Sequence, residues 1–111
     1  MRKIFSAALA AGAFGLLLAA AAAQGRIAAV RIKNHVFEPA RLEVAPGTVV
    51  TWTNDAGSHT VTADDESFAS PTLGAKQTFS RRFDEPGTYR YYCAFHGGKG
   101  GEGMAGEVTV K

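Results

Sequence analysis

Only one of the 111 residues, Cys93, is a cysteine, so no disulfide can form within the chain. That excludes the stapled scaffolds of small secreted domains, an immunoglobulin-like module built on a bridge between sheets, and a binuclear centre held by paired thiolates. Histidines are few, limited to His35, His59 and His96. No cationic run occurs, so nothing points to nucleic acid, whose binding depends on clustered Lys and Arg. No internal repeat is evident, and no stretch beyond the N-terminal segment carries a sustained helical period with caps. A Cys and His nucleophile pair is conceivable, but neither an orienting third group nor an oxyanion-hole motif accompanies it, so the chain is not expected to be an enzyme.

The first residues read as an export signal. Met1-Arg2-Lys3 is a short basic start, Ile4 to Leu18 is almost wholly apolar, and Ala21-Ala22-Ala23 supplies small residues for cleavage before Gln24. An uncleaved anchor is the competing reading, because the apolar stretch approaches the ~20 residues that span a bilayer. Its composition, mostly Ala with Gly12 and Gly15, is only weakly hydrophobic. The expectation is therefore a signal peptide over residues 1–23 and one domain over residues 24–111, with no stable membrane span after cleavage. No Arg-Arg pair marks the twin-arginine route, so a Sec-type export of the unfolded chain to the periplasm is expected, with any metal acquired afterwards. Setting aside Arg2 and Lys3, ten basic residues face ten acidic ones, so the mature chain is formally neutral. The clusters Asp64-Asp65-Glu66 and Arg81-Arg82 read as solvated faces.

The remaining chain reads as strands. Ile27 to Lys33, Arg41 to Val44, Thr48 to Asn54, His59 to Ala63, Gln77 to Phe83, Thr88 to Tyr92 and Glu107 to Lys111 are short runs rich in β-branched and aromatic residues. Turn chemistry separates them, as in Ala45-Pro46-Gly47, Asp55-Ala56-Gly57 and Glu85-Pro86-Gly87. Val50 and Trp52 alternate with Thr51 and Thr53, as on a half-buried strand. A small antiparallel β-sandwich follows.

Within twelve residues near the C-terminus stand Cys93, His96 and Met104. A thiolate, an imidazole and a thioether are three of the four ligand types of a blue-copper site, in which two imidazoles and one thiolate are trigonal and a weak thioether lies on the axis. The second imidazole must come from elsewhere, and His59, after the Gly57 turn, is the best candidate. Cupric ion is held by imidazole and cuprous ion by thiolate and thioether, so this mixed set suits a metal that cycles between the two. An unpaired thiol in an oxidising compartment is also better explained by metal than by packing. His35, between polar neighbours, reads as a surface residue.

The chain here resembles the cupredoxins, in particular the plastocyanin and amicyanin-like bacterial blue-copper proteins. The resemblance runs through Phe37-Glu38-Pro39, Leu42 to Gly47, Val50 to Asn54, His59-Thr60-Val61, Phe68, Phe83 to Tyr89, Tyr91-Tyr92-Cys93 with His96, and Met104 to Val108. It implies a Greek-key sandwich, one type 1 copper ion on His59, Cys93, His96 and Met104, and single-electron transfer. It also implies a monomer whose His96 edge opens on an apolar patch near Phe95, where a c-type cytochrome or periplasmic oxidoreductase would dock. A copper carrier or buffer could use the same ligands. Two features depart from the family pattern. The glycine-rich insert Gly97 to Gly103 makes the Met104 bond the least secure, because a floppy connection costs entropy to order. Thr60 stands where an asparagine often ties the two ligand loops together, and its hydroxyl is expected to donate one such bond.

Overall fold

The computed structural model describes residues 26–111, so the expected signal peptide over residues 1–23 lies outside the described residues. Eight strands follow in chain order: β1 (Ile27–Lys33), β2 (Val36–Glu38), β3 (Arg41–Val44), β4 (Thr48–Asn54), β5 (Thr62–Ala63), β6 (Thr78–Phe83), β7 (Gly87–Gly98) and β8 (Glu102–Val110). They form two four-stranded sheets, ordered β2-β1-β4-β6 and β3-β8-β7-β5. The expected β-sandwich is present, with two pairings that are parallel: β1 with β4 and β3 with β8.

Alternation builds the core. In β4 the inward positions Thr48, Val50, Trp52 and Asn54 are buried, while Val49, Thr51 and Thr53 are half-buried on the other face. Val30, Ile32, Phe37 and Phe83 join them from the same sheet, and Tyr91, Cys93, Val108 and Val110 face them from the other. Trp52 is the hub, meeting Tyr91 edge-on at 5.3 Å between ring centroids and Phe79 at 5.8 Å. Each such large apolar side chain contributes about 1.5–3 kcal/mol by leaving water, and edge-to-face pairs add to that. Burial also pushes the Tyr91 phenol up to about 12, so it stays neutral.

Arg81 departs from the expected solvated cluster. Its guanidinium lies 4.8 Å from the ring centres of both Phe68 and Phe83, a cation–π contact closing one side of the aromatic core.

β2, only three residues long, is not among the strands expected from the sequence. It pairs with β1 through the two-residue turn Asn34-His35, in register Lys33 with Val36. Both turn residues have positive φ, 53° and 61°, as a type I′ hairpin demands. The strand expected over His59 to Ala63 is reduced to Thr62–Ala63, because His59 makes only an isolated bridge to Leu73.

Candidate metal centre

His59 is placed by its backbone. Its N–H donates to the Leu73 carbonyl at 3.1 Å and its own carbonyl accepts from Leu73 N–H at 2.8 Å. Beneath that bridge the buried Asn54 amide spans three carbonyls, those of Gly57, Leu73 and Gly74, at 2.8–3.1 Å. Asn54 therefore joins the turn before His59 to the segment beside it, a positioning role that its place at a strand end did not reveal. Gly57, with φ of 79°, lets the turn close against the His59 ring: a Cβ there would lie 3.3 Å from Nε2.

Cys93 and His96 come from an irregularity in β7. Its pairing with β8 runs to Tyr92–Ala105, breaks, and resumes at Gly97–Gly103. Cys93, Ala94, Phe95 and His96 thus arch out opposite Met104 alone. The glycine-rich insert is not a floppy connection: Gly97 and Gly98 pair with Gly103 and Glu102 as a hairpin. Close backbone approach explains the composition, since a Cβ on Gly97 would strike the Met104 backbone and one on Gly103 would lie 2.6 Å from the His96 carbonyl oxygen. The tip is held too. Gly100 N–H donates to Asp64 Oδ2 at 2.9 Å and Lys99 pairs with Glu66 at 3.6 Å, so the acidic cluster is more than a solvated face.

These elements bring three of the expected ligands together. Cys93 Sγ lies 3.7 Å from His59 Nδ1 and 3.6 Å from His96 Nδ1. Ligands at metal–sulfur and metal–nitrogen distances of about 2.3 and 2.0 Å, roughly 120° apart, stand about 3.7 Å from one another, so the sulfur stands from each nitrogen as two ligands of one trigonal ion do. Cys93 is fully buried and His59 is 3% exposed, while His96 is exposed. Met104 is buried in the same cluster as Cys93. Burial holds the His59 imidazole below its ordinary value, with further lowering by His96 and His35, against the Ala56 backbone carbonyl, which raises it. A neutral imidazole with a free lone pair is the form that binds metal.

Two details differ from the sequence reading. The Thr60 hydroxyl accepts rather than donates: Ala94 N–H bonds Oγ1 at 2.8 Å, linking the two ligand segments. His35 is exposed as expected, yet its ring centroid sits 4.3 Å from that of His96 and 5.5 Å from that of His59. One ligand nitrogen from each of the three histidines lies within 4.8 Å of the others. The only sequence signal was its turn, Lys33-Asn34-His35-Val36, with a bulky residue where glycine is preferred.

A buried thiol between two imidazoles at one end of a β-sandwich defines a mononuclear centre for a thiophilic transition metal. Residues 26–111 match the copper binding proteins of the plastocyanin/azurin family, and the chain belongs to that family. Copper is its cofactor. Barley (Hordeum vulgare) chloroplastic plastocyanin is 35% identical over 98% of this chain and 77% of its own. Amicyanin-alpha of Methylorubrum extorquens is 34% identical over 96% of this chain and 87% of its own. Among solved structures, the purple cupredoxin from Nitrosopumilus maritimus superposes with a TM-score of 0.66 at 33% identity, covering 76% of this chain and 99% of that one.

Proposed function

We propose that this protein is a single-electron carrier of the periplasm, with one type 1 copper ion held by His59, Cys93, His96 and Met104. The observation that carries the reading is the triangle of Cys93 Sγ and the two Nδ1 atoms, with 3.7 and 3.6 Å sides at the sulfur. When bound, copper supplies a one-electron couple, Cu(II)/Cu(I). The protein's part is to hold donors suited to both states in one geometry. Cross-links from Asn54, Thr60 and the paired hairpin do this without requiring a ligand to travel far, and small rearrangement favours fast transfer.

His96 supplies the route to the surface. Its neighbour Phe95 is 57% exposed, and Val36, next to His35, is 45% exposed. Exposed apolar side chains next to His96 and His35 suit brief electron-transfer encounters, whose contacts are small. The partner we propose is a c-type cytochrome or a periplasmic oxidoreductase, met by a monomer docking at Phe95 and His96. Export by residues 1–23, leaving a domain over residues 24–111, belongs to the same proposal and rests on the Met1-Arg2-Lys3 start and the apolar run to Leu18. Among the described residues no helix is long and apolar enough to cross a membrane.

The deciding experiment loads the protein with cupric ion and records visible absorption and electron paramagnetic resonance for the wild type and Cys93→Ser. An intense thiolate-to-copper band with narrow hyperfine splitting, lost in the variant, is expected. Ordinary cupric spectra that survive the substitution would overturn the ligand set. Copper carriage is the second reading, favoured by the exposed His35 and His96 imidazoles at the mouth of the site; slow electron self-exchange with ready copper release would select it.

A further inference from the structure

Two donor triads share the same pair of imidazoles. The inner one adds the buried Cys93 to His59 and His96, and the outer one adds the exposed His35. We infer that His35, His59 and His96 form a capture station, at which a cupric ion first binds through three imidazoles before it passes inward to Cys93. The inference rests on His59, Cys93 and His96 being the final ligands.

The chemistry of the outer triad is suited to capture. Three imidazoles and a water make a set that borderline divalent ions accept readily. Two of the three rings are exposed, so an ion arriving from solvent meets His35 and His96 before anything else in the site. Three nitrogens each about 2.0 Å from a common ion stand about 3.3–3.5 Å apart. The observed limit of 4.8 Å closes to that when the exposed His35 and His96 side chains turn inward by about 1 Å or more, within their rotamer freedom. The buried thiol is a poor first contact, because the fold hides it from an incoming ion. In the transfer step the bond from the metal to the His35 nitrogen breaks, a bond to the Cys93 sulfur forms, and the thiol proton leaves to solvent. His59 and His96 belong to both triads, so the ion exchanges His35 for Cys93 within one site.

The backbone offers independent support. His35 holds φ of 61° at the second central position of a type I′ turn, where glycine is favoured and a bulky side chain is strained. That strain persists at the one turn position that sets an imidazole against the two ligand histidines.

The same strain supplies the test. His35→Gly suits the turn and should fold at least as well as the wild type, which a thermal melt of the metal-free protein checks; His35→Asn, also tolerant of positive φ, is the second variant. In stopped-flow mixing of metal-free protein with cupric ion, the wild type should show a weakly coloured species that converts to the thiolate band. His35→Gly should lose that species and form the band at least tenfold more slowly, ending on an unchanged spectrum. In Cys93→Ala, cupric ion should still bind, with ordinary hyperfine splitting and nitrogen couplings, and adding His35→Gly should weaken that binding at least tenfold. Equal loading rates in wild type and both His35 variants would overturn the capture station, as would a changed final spectrum, which would make His35 a permanent ligand. If the wild type never develops a thiolate band, the ligand reading itself has failed, a result distinct from either.

Discussion

The hydroxyl of Thr60 accepts a hydrogen bond from the Ala94 N–H at 2.8 Å, tying the strand that follows His59 to the arch that carries Cys93 and His96. Thr60 is 7% exposed, and its hydroxyl also meets that of Thr62 at 3.0 Å. The bond fixes the spacing of ligands drawn from separate parts of the sandwich, so its loss should register in both stability and metal binding.

Thr60→Val keeps the shape and strands the Ala94 N–H without an acceptor. The bond is part-buried, so its loss should cost about 1 kcal/mol, read by chemical denaturation of the metal-free protein. Thr60→Ser keeps the acceptor and should stay close to the wild type. The copper hyperfine pattern should broaden in the valine variant alone.

Gly97→Ala places a Cβ 2.8 Å from both Met104 N and the Glu102 carbonyl oxygen, and closer still to the Met104 carbonyl oxygen. These are backbone atoms and cannot rotate away. The hairpin must open, at about 1–3 kcal/mol, and copper affinity should fall as Met104 and His96 move apart. Gly98→Ala is the control, since its Cβ meets only the Glu102 Cβ at 3.8 Å; titration with a competing chelator should separate the two.

Gly106→Ala should be as damaging at a distance from the metal. The added Cβ would lie 2.5 Å from the Tyr91 hydroxyl oxygen and 2.6 Å from Cζ, against a ring wedged between Trp52 and Phe37. About 1–3 kcal/mol of stability should be lost, with Tyr91→Phe recovering part of it in the double variant.

The metal-free protein should weaken in mild acid. His59 is held below its ordinary value near 6.5, first by burial and then by His96 and His35. As pH falls through 6.5 the unfolded chain takes up a proton that the folded chain refuses, so stability drops until the folded group itself titrates. Above that range this group adds no further slope. Urea midpoints at neutral pH and in mild acid should therefore differ in the wild type, and His59→Gln should reduce the difference.

Most of the fold was legible because its signals are local. Alternation in Thr48–Asn54 marks one strand, proline and glycine mark the turns, and Cys93, His96 and Met104 announce a metal by residue type and spacing. The short β2 was missed because three residues carry little periodicity, and its evidence lay in the Asn34-His35 turn instead.

Sequence alone thus determined most of the strands, the thiolate, imidazole and thioether donors, and the family pattern, all of which reside in neighbouring residues or in chemical type. Tertiary structure decided the rest, because it depends on which strands pair and in what register. The register of β7 on β8 turned the glycine-rich insert into a hairpin and left Cys93 to His96 arched against Met104. The parallel pairing of β1 with β4 sets Ile32 beside Asn54, which brings the Asn34-His35 turn to the end of the sandwich where His59 stands. No local pattern encodes that meeting, and for this reason the third imidazole became visible only in the folded chain.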